Sequence, residues 1–177
     1  MQRHRLLPLL AALAAGLAGC QYEEPLGPAA DARIPDEILG RWHQPADPAV
    51  QGREHDAFLV VHRTRGQRLL VDYEFQDGAE RAHWYFTGHP VLEVRPELLE
   101  LELVGDAKGV AAAENPYLLV RWQRDGDRLT WQLLDTAKLD PGSGGARFRT
   151  SLTAALAEGK DLFDKPAEFR KVPAPQG

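Results

Sequence analysis

Cysteine is almost absent from this chain of 177 residues: Cys20 is the only one. One cysteine can make no disulfide within the chain. Serine is nearly as scarce, with Ser143 and Ser151 the only two. A serine nucleophile needs a base in reach and a tight turn to present it. Ser143 sits in Pro141-Gly142-Ser143-Gly144-Gly145, which lacks the nucleophile-elbow spacing and reads as a mobile loop, and Ser151 reads as a helix cap. Acyl transfer and serine proteolysis are not expected on that ground. There is no excess of basic charge either: 21 Lys and Arg stand against 26 Asp and Glu, for a formal charge of −5. A nucleic-acid binder shows a basic patch, and none is evident. Finally, no apolar run is long. The longest, Leu6 to Leu17, is interrupted by Pro8 and Gly16 and falls short of the roughly 20 residues of a spanning helix.

What the first residues do carry is a positive start, Arg3 and Arg5, before that short apolar run. This is the pattern of a secretion signal. It ends in Leu17-Ala18-Gly19-Cys20, which resembles the lipobox of bacterial lipoproteins. The resemblance implies cleavage before Cys20, acylation of that residue and anchorage to a membrane. Residue 21 is Gln rather than the Asp that in this family retains a protein at the inner membrane, so the implied location is the outer membrane of a bacterial envelope, facing the periplasm. Two or three acyl chains hold stably where one holds marginally.

Removing residues 1–19 from the 177 leaves 158, enough for one domain with a real core, and moves the formal charge from −5 to −7. The expected organisation is a signal over 1–19, a lipidated Cys and proline-containing tether over 20–35, a β-barrel domain over 36–172 and a frayed tail over 173–177. The tether, with Pro25, Pro28 and Pro35 and little to bury, would reach on the order of 20 Å.

Apolar and polar residues alternate through the domain with a period of two, the mark of half-buried strands. Leu69, Val71, Tyr73 and Phe75 share a face; so do Ala82, Trp84 and Phe86, and Leu99, Leu101 and Leu103. Leu118, Val120 and Trp122 run through Asp125-Gly126 to Leu129, Trp131 and Leu133, a hairpin signal. Phe58–His62 and Val91–Val94 are further strands, with His89 before Pro90 in a turn. One helix is expected, capped by Thr150 or Ser151, striped by Leu152, Ala155 and Leu156 and ended by Gly159, with a last strand over Ala167–Val172. The predicted fold is all-β: an antiparallel up-and-down barrel of about eight to nine strands with one late helix.

Gly40-Arg41-Trp42 at the head of the first strand, followed by hairpin-connected strands and a late helix with a strand behind it, is similar to the lipocalin family. The resemblance implies an eight-stranded barrel holding an apolar ligand, with Gly40 and Trp42 closing one end. It also implies an Arg from a late strand over the Trp, for which Arg121, Arg128 and Arg170 are candidates.

No other chemistry gathers. His43, His55, His62, His83 and His89 include no short-spaced pair of the zinc type, and His83, out of phase with Trp84, reads as a solvated strand residue. Glu100 and Glu102 read as the solvated polar face of a strand, so neither a metal nor a catalytic pair is expected, and no cofactor is implied. The aromatics in phase with the apolar faces, Tyr73, Phe75, Trp84, Phe86, Trp122 and Trp131, are the expected ligand-binding set, with ordinary core packing the plainer alternative. The expected function is a non-enzymatic, membrane-anchored lipoprotein that binds a lipid or other apolar small molecule. The rival is an accessory or inhibitory subunit acting through its surface on an envelope protein partner.

Overall fold

The alternating segments become strands that pair almost entirely in chain order. A computed structural model describes residues 21–28, 33–49, 55–64, 68–77, 80–92, 95–110 and 116–173. Cys20, the expected signal over 1–19 and residues 174–177 lie outside them. The elements are β1 (Gln21–Tyr22), a 3-10 turn (Asp36–Ile38), β2 (Gly40–Gln44), β3 (Ala57–Arg63), β4 (Leu69–Asp77) and β5 (Glu80–Leu92). After them come β6 (Arg95–Asp106), β7 (Gly109–Val110), β8 (Tyr117–Asp125), β9 (Arg128–Leu133), α1 (Gly145–Ala157) and β10 (Ala167–Lys171).

Eight of the strands close a ring, β2-β3-β4-β5-β6-β8-β9-β10 and back to β2, with antiparallel pairing throughout. This is an up-and-down barrel, as the alternation predicts, with α1 inserted between its seventh and eighth strands. Interior rows run across the wall in register: Gly40, Val61, Val71, Phe86 and Leu103 form one, and Trp42, Leu59, Tyr73 and Trp84 the next. Full closure leaves the ring no free edge. β7 adds to β6 at Gly105 and Asp106, and β1 adds to β8 at Tyr117 and Leu118.

One end of the barrel is plugged. The 3-10 turn crosses it, Ile38 offers its carbonyl to the Trp42 indole N–H at 2.8 Å, and both side chains are fully buried. Lys171 Nζ lies 4.2 Å from the Trp42 ring centre and the Arg124 guanidinium 5.8 Å from it, so two cations meet the face of one indole. Lys171 also donates to the Leu39 carbonyl. Gly40 has φ +117° and a Cβ there would lie 2.5 Å from Lys171 Nζ, which is why glycine precedes the Trp. The cations over Trp42 are therefore not Arg121, Arg128 or Arg170. Arg121 instead covers Phe163 at 4.5 Å, and Arg124 and Lys171 reach the indole because each falls in the interior phase of its strand at the plugged end.

Three local expectations change. β5 does not turn at His89-Pro90 but continues to Leu92, absorbing Pro90 beside a register shift, where a missing amide costs no ladder bond. Val91 therefore extends β5 rather than opening a new strand. The helix starts at Gly145, with Gly144 as its cap residue (φ 97°), and Thr150 and Ser151 lie inside it, Thr150 Oγ1 donating to the Ala146 carbonyl at 3.0 Å. The buried stripe begins at Phe148, ahead of Leu152 and Ala155, and pulls the helix start upstream of the serine.

A second apolar layer forms outside the ring. Phe148 and Leu152 of α1 pack with Leu98 and Leu119 on the outward faces of β6 and β8, and Tyr22 and Leu26 of the N-terminal strap complete it. Residues 21–35 were expected to have little to bury, yet Tyr22, Leu26 and Ile34 are all buried. The Gly142–Gly145 loop receives the strap: the Glu24 amide donates to the Ser143 carbonyl at 2.6 Å and the Gly145 amide to the Glu24 carbonyl at 3.0 Å. A Cβ on Gly144 would collide with that Glu24 carbonyl. The loop is thus a docking point for the strap.

Candidate functional site

Opposite the plug, the interior opens by degrees. On β4, Leu69 and Val71 are fully buried while Tyr73 and Phe75 are part-exposed; on β6, Leu99 and Leu101 give way to Leu103; on β9, Leu129 gives way to Trp131 and Leu133. β5 runs the other way and shows the same gradient, from Phe86 to Trp84 and Ala82. All four point to the end reached by the β2–β3, β4–β5 and β6–β8 connections. Among the described residues the apolar interior rows are exposed at this end, which makes it a mouth.

At that mouth three predicted aromatics touch. Tyr73 stacks on Phe75 with ring centres 5.4 Å apart, Phe75 meets Trp84 edge to face at 5.0 Å, and Tyr73 and Trp84 are 6.4 Å apart. They meet because Tyr73 and Trp84 are register partners and Phe75 follows Tyr73 two residues along the same face. Trp131 is the fourth, part-exposed across the barrel on β9. The other two predicted residues lie deeper. Phe86 is 6% exposed and Trp122 7%, its indole donating to the Pro96 carbonyl at 3.2 Å, so both belong to the packed half. Four of the six thus line the mouth and two support it.

Leu103, Leu133 and Ala167 join the mouth from β6, β9 and β10, and Gln44 is buried with Nε2 3.4 Å from the Glu168 carbonyl. Gln44 stands two residues after Trp42, so alternation alone would have placed it inside. Burial pushes the Tyr73 phenol above its usual range. The Tyr73 hydroxyl and the Trp84 and Trp131 indole N–H groups have no hydrogen-bond partner among the described residues.

Behind the wall is a site that sequence reasoning missed. Glu100 points outward on β6, as its phase requires, but is fully buried rather than solvated. Its Oε1 accepts from the Tyr22 hydroxyl at 2.6 Å and the Leu26 amide at 2.7 Å, and its Oε2 from the Gly27 amide at 3.2 Å. His89 Nε2, on the neighbouring strand, is 3.2 Å from Oε2, near enough for an ion pair but off the line of a hydrogen bond. Arg149 of α1 clamps the same stretch of strap, donating to the Leu26 and Gly27 carbonyls and to the Val91 carbonyl. Burial alone would push the Glu100 carboxyl up; His89 beside it and the donors of Tyr22 and Leu26 together outweigh burial and hold the group below the ordinary carboxylate range. Burial, and then the charge of Glu100, push the Tyr22 phenol far above its own.

Three strap donors thus occupy this carboxylate, two on Oε1 and one on Oε2, with His89 beside Oε2, so the group serves to hold the strap. His83 departs from its solvated reading more mildly: it is part-buried, with Nδ1 3.0 Å from Asp72 Oδ1. Among the described residues no three His, Cys, Asp or Glu side chains gather as a metal site requires. No family model, curated protein or solved structure matches the chain.

Proposed function

We propose that this protein is a lipid-anchored lipoprotein of the bacterial envelope, held by an acylated Cys20, whose barrel binds a lipid or other apolar small molecule through its mouth without catalysing a reaction. The observation that carries the ligand half is the cluster of Tyr73, Phe75 and Trp84, three large rings in mutual contact yet only part-buried at the unplugged end. Apolar surface left accessible inside a concave wall is what a small-molecule site consists of, and an eight-stranded barrel is just wide enough to hold one small ligand. The lipobox at Leu17–Cys20 supports the anchor, and Trp42 beneath its cations at the plugged end agrees with a lipocalin-like plan.

Two measurements test the halves separately. Cys20→Ala should move the protein from the membrane pellet to the soluble fraction, and continued pelleting would sink the anchor. The soluble variant should bind a neutral hydrophobic dye such as Nile red, and Trp84→Ala should weaken that binding about tenfold. No dye binding by the folded Cys20→Ala protein would sink the ligand site.

A further inference from the structure

The chemical class of the ligand can be narrowed from the charges that line the barrel, an inference that rests on the ligand-binding reading above. From the middle of the barrel to the mouth no described side chain in interior phase is a cation: Gln44, Tyr73, Trp84, Leu103, Trp131 and Leu133 represent five of the eight strands, and the charge in that phase is the carboxylate of Asp106, the register partner of Trp84. The cations in that phase, Arg63, Arg124 and Lys171, all stand at the plugged end. Arg63 is engaged by the Ile34 carbonyl and Asp36, Arg124 by the Gly126 and Glu37 carbonyls, and Lys171 by the Leu39 carbonyl.

At the rim two carboxylates stand beside two exposed cations, Lys108 and Arg81, the latter paired with Glu74. Asp106 is the register partner of Trp84 and ends β6 at the mouth, accepting the Lys108 and Gly109 amides at 2.8 and 3.1 Å. Asp56 stands at the mouth end of β3, where the Ala46 amide bond at 2.8 Å, with His43 adding to it, lowers its carboxyl against its slight burial. Burying an unpaired carboxylate is far costlier than burying an apolar chain. Meanwhile the Tyr73 hydroxyl and the Trp84 and Trp131 indole N–H groups are donors without acceptors among the described residues.

We propose that the mouth takes an uncharged apolar ligand bearing a hydrogen-bond acceptor, such as an ester, ketone or alcohol oxygen, and turns away the ionised carboxylate of a free fatty acid. Chain length and ring content are left to the walls; charge is what the site discriminates.

Displacement of Nile red from the full chain carrying Cys20→Ser, by decanol, methyl decanoate and decanoate, tests this. At neutral pH the two uncharged ligands should bind and decanoate should be at least about tenfold weaker. As the pH falls through the carboxylate range, decanoate should approach decanol. Decanoate binding as tightly as decanol at neutral pH would overturn the proposal while leaving ligand binding intact; failure of all three would overturn ligand binding itself. Tyr73→Phe should weaken methyl decanoate about fivefold through loss of one donor, and an unchanged affinity would remove the acceptor from the proposal. Leu133→Lys, which sets a cation at the mouth, should raise decanoate affinity about tenfold, and no gain by the folded variant would count against charge as the discriminator.

Discussion

The two sides of one barrel wall solve opposite problems. Inside, Leu99 and Leu101 of β6 are buried in the apolar core of the barrel. Outside, one residue along the same strand, Glu100 is equally buried and charged. The inner surface has no need of polar groups, because the ring satisfies its own backbone strand to strand. The strap lying on the outer surface is not a strand beyond Tyr22, so the amides of Leu26 and Gly27 have no ladder partner. Buried amides of that kind must find an acceptor, and the carboxylate supplies it. The difference between the two sides is thus set by who else needs hydrogen bonds, not by the strand that carries both residues.

The comparison breaks most readily at the plug. Trp42→Ala should cost about 4 kcal/mol by urea denaturation, and Trp84→Ala less than half of that, because Trp84 is already part-exposed. Equal losses would mean that the mouth is packed as tightly as the plug. On the outer side, Glu100→Gln should cost about 3 kcal/mol, since an amide presents its NH2 to donors that need an acceptor. Tyr22→Phe, which removes one bond to a charge, should cost about 1.5 kcal/mol. A silent Glu100→Gln would show that the strap contributes nothing to stability.

The smallest effect is the dependence on pH. Glu100 is held below the ordinary carboxylate range in the folded protein, so its contribution is fully present above the unfolded value of about 4.3 and is lost as the pH falls from there through the lower folded value. Acid titration of the wild type should therefore destabilise it more steeply below that point than it does Glu100→Gln. Parallel titration curves for the two proteins would contradict the assignment.

How far the sequence could be read differs from residue to residue. Strand order, the hairpin at Gly126 and the interior faces of β4, β6, β8 and β9 all follow from short-range alternation, which is a local property of the pleat. The mouth aromatics Tyr73, Phe75 and Trp84 were legible for the same reason. What alternation could not tell was depth: Phe86 and Trp122 carry the same pattern as Trp84 and Trp131, and only the position of each row along the barrel axis separates core from mouth. The cations over Trp42 were misread because three arginines were weighed without the shear of the barrel, which brings Arg124 and Lys171 to the plug.

The alternating pattern and the Gly40–Trp42 motif were enough to point to an antiparallel barrel and to say which face of each strand looks inward. Those are statements about neighbours in the chain. Only the tertiary structure decided that the outward face of β6 is not solvent, because Tyr22 and Leu26 lie 78 and 74 residues from Glu100 and nothing in the periodicity of either segment encodes their meeting. A period of two specifies the side of a sheet; what covers that side is settled by the rest of the chain.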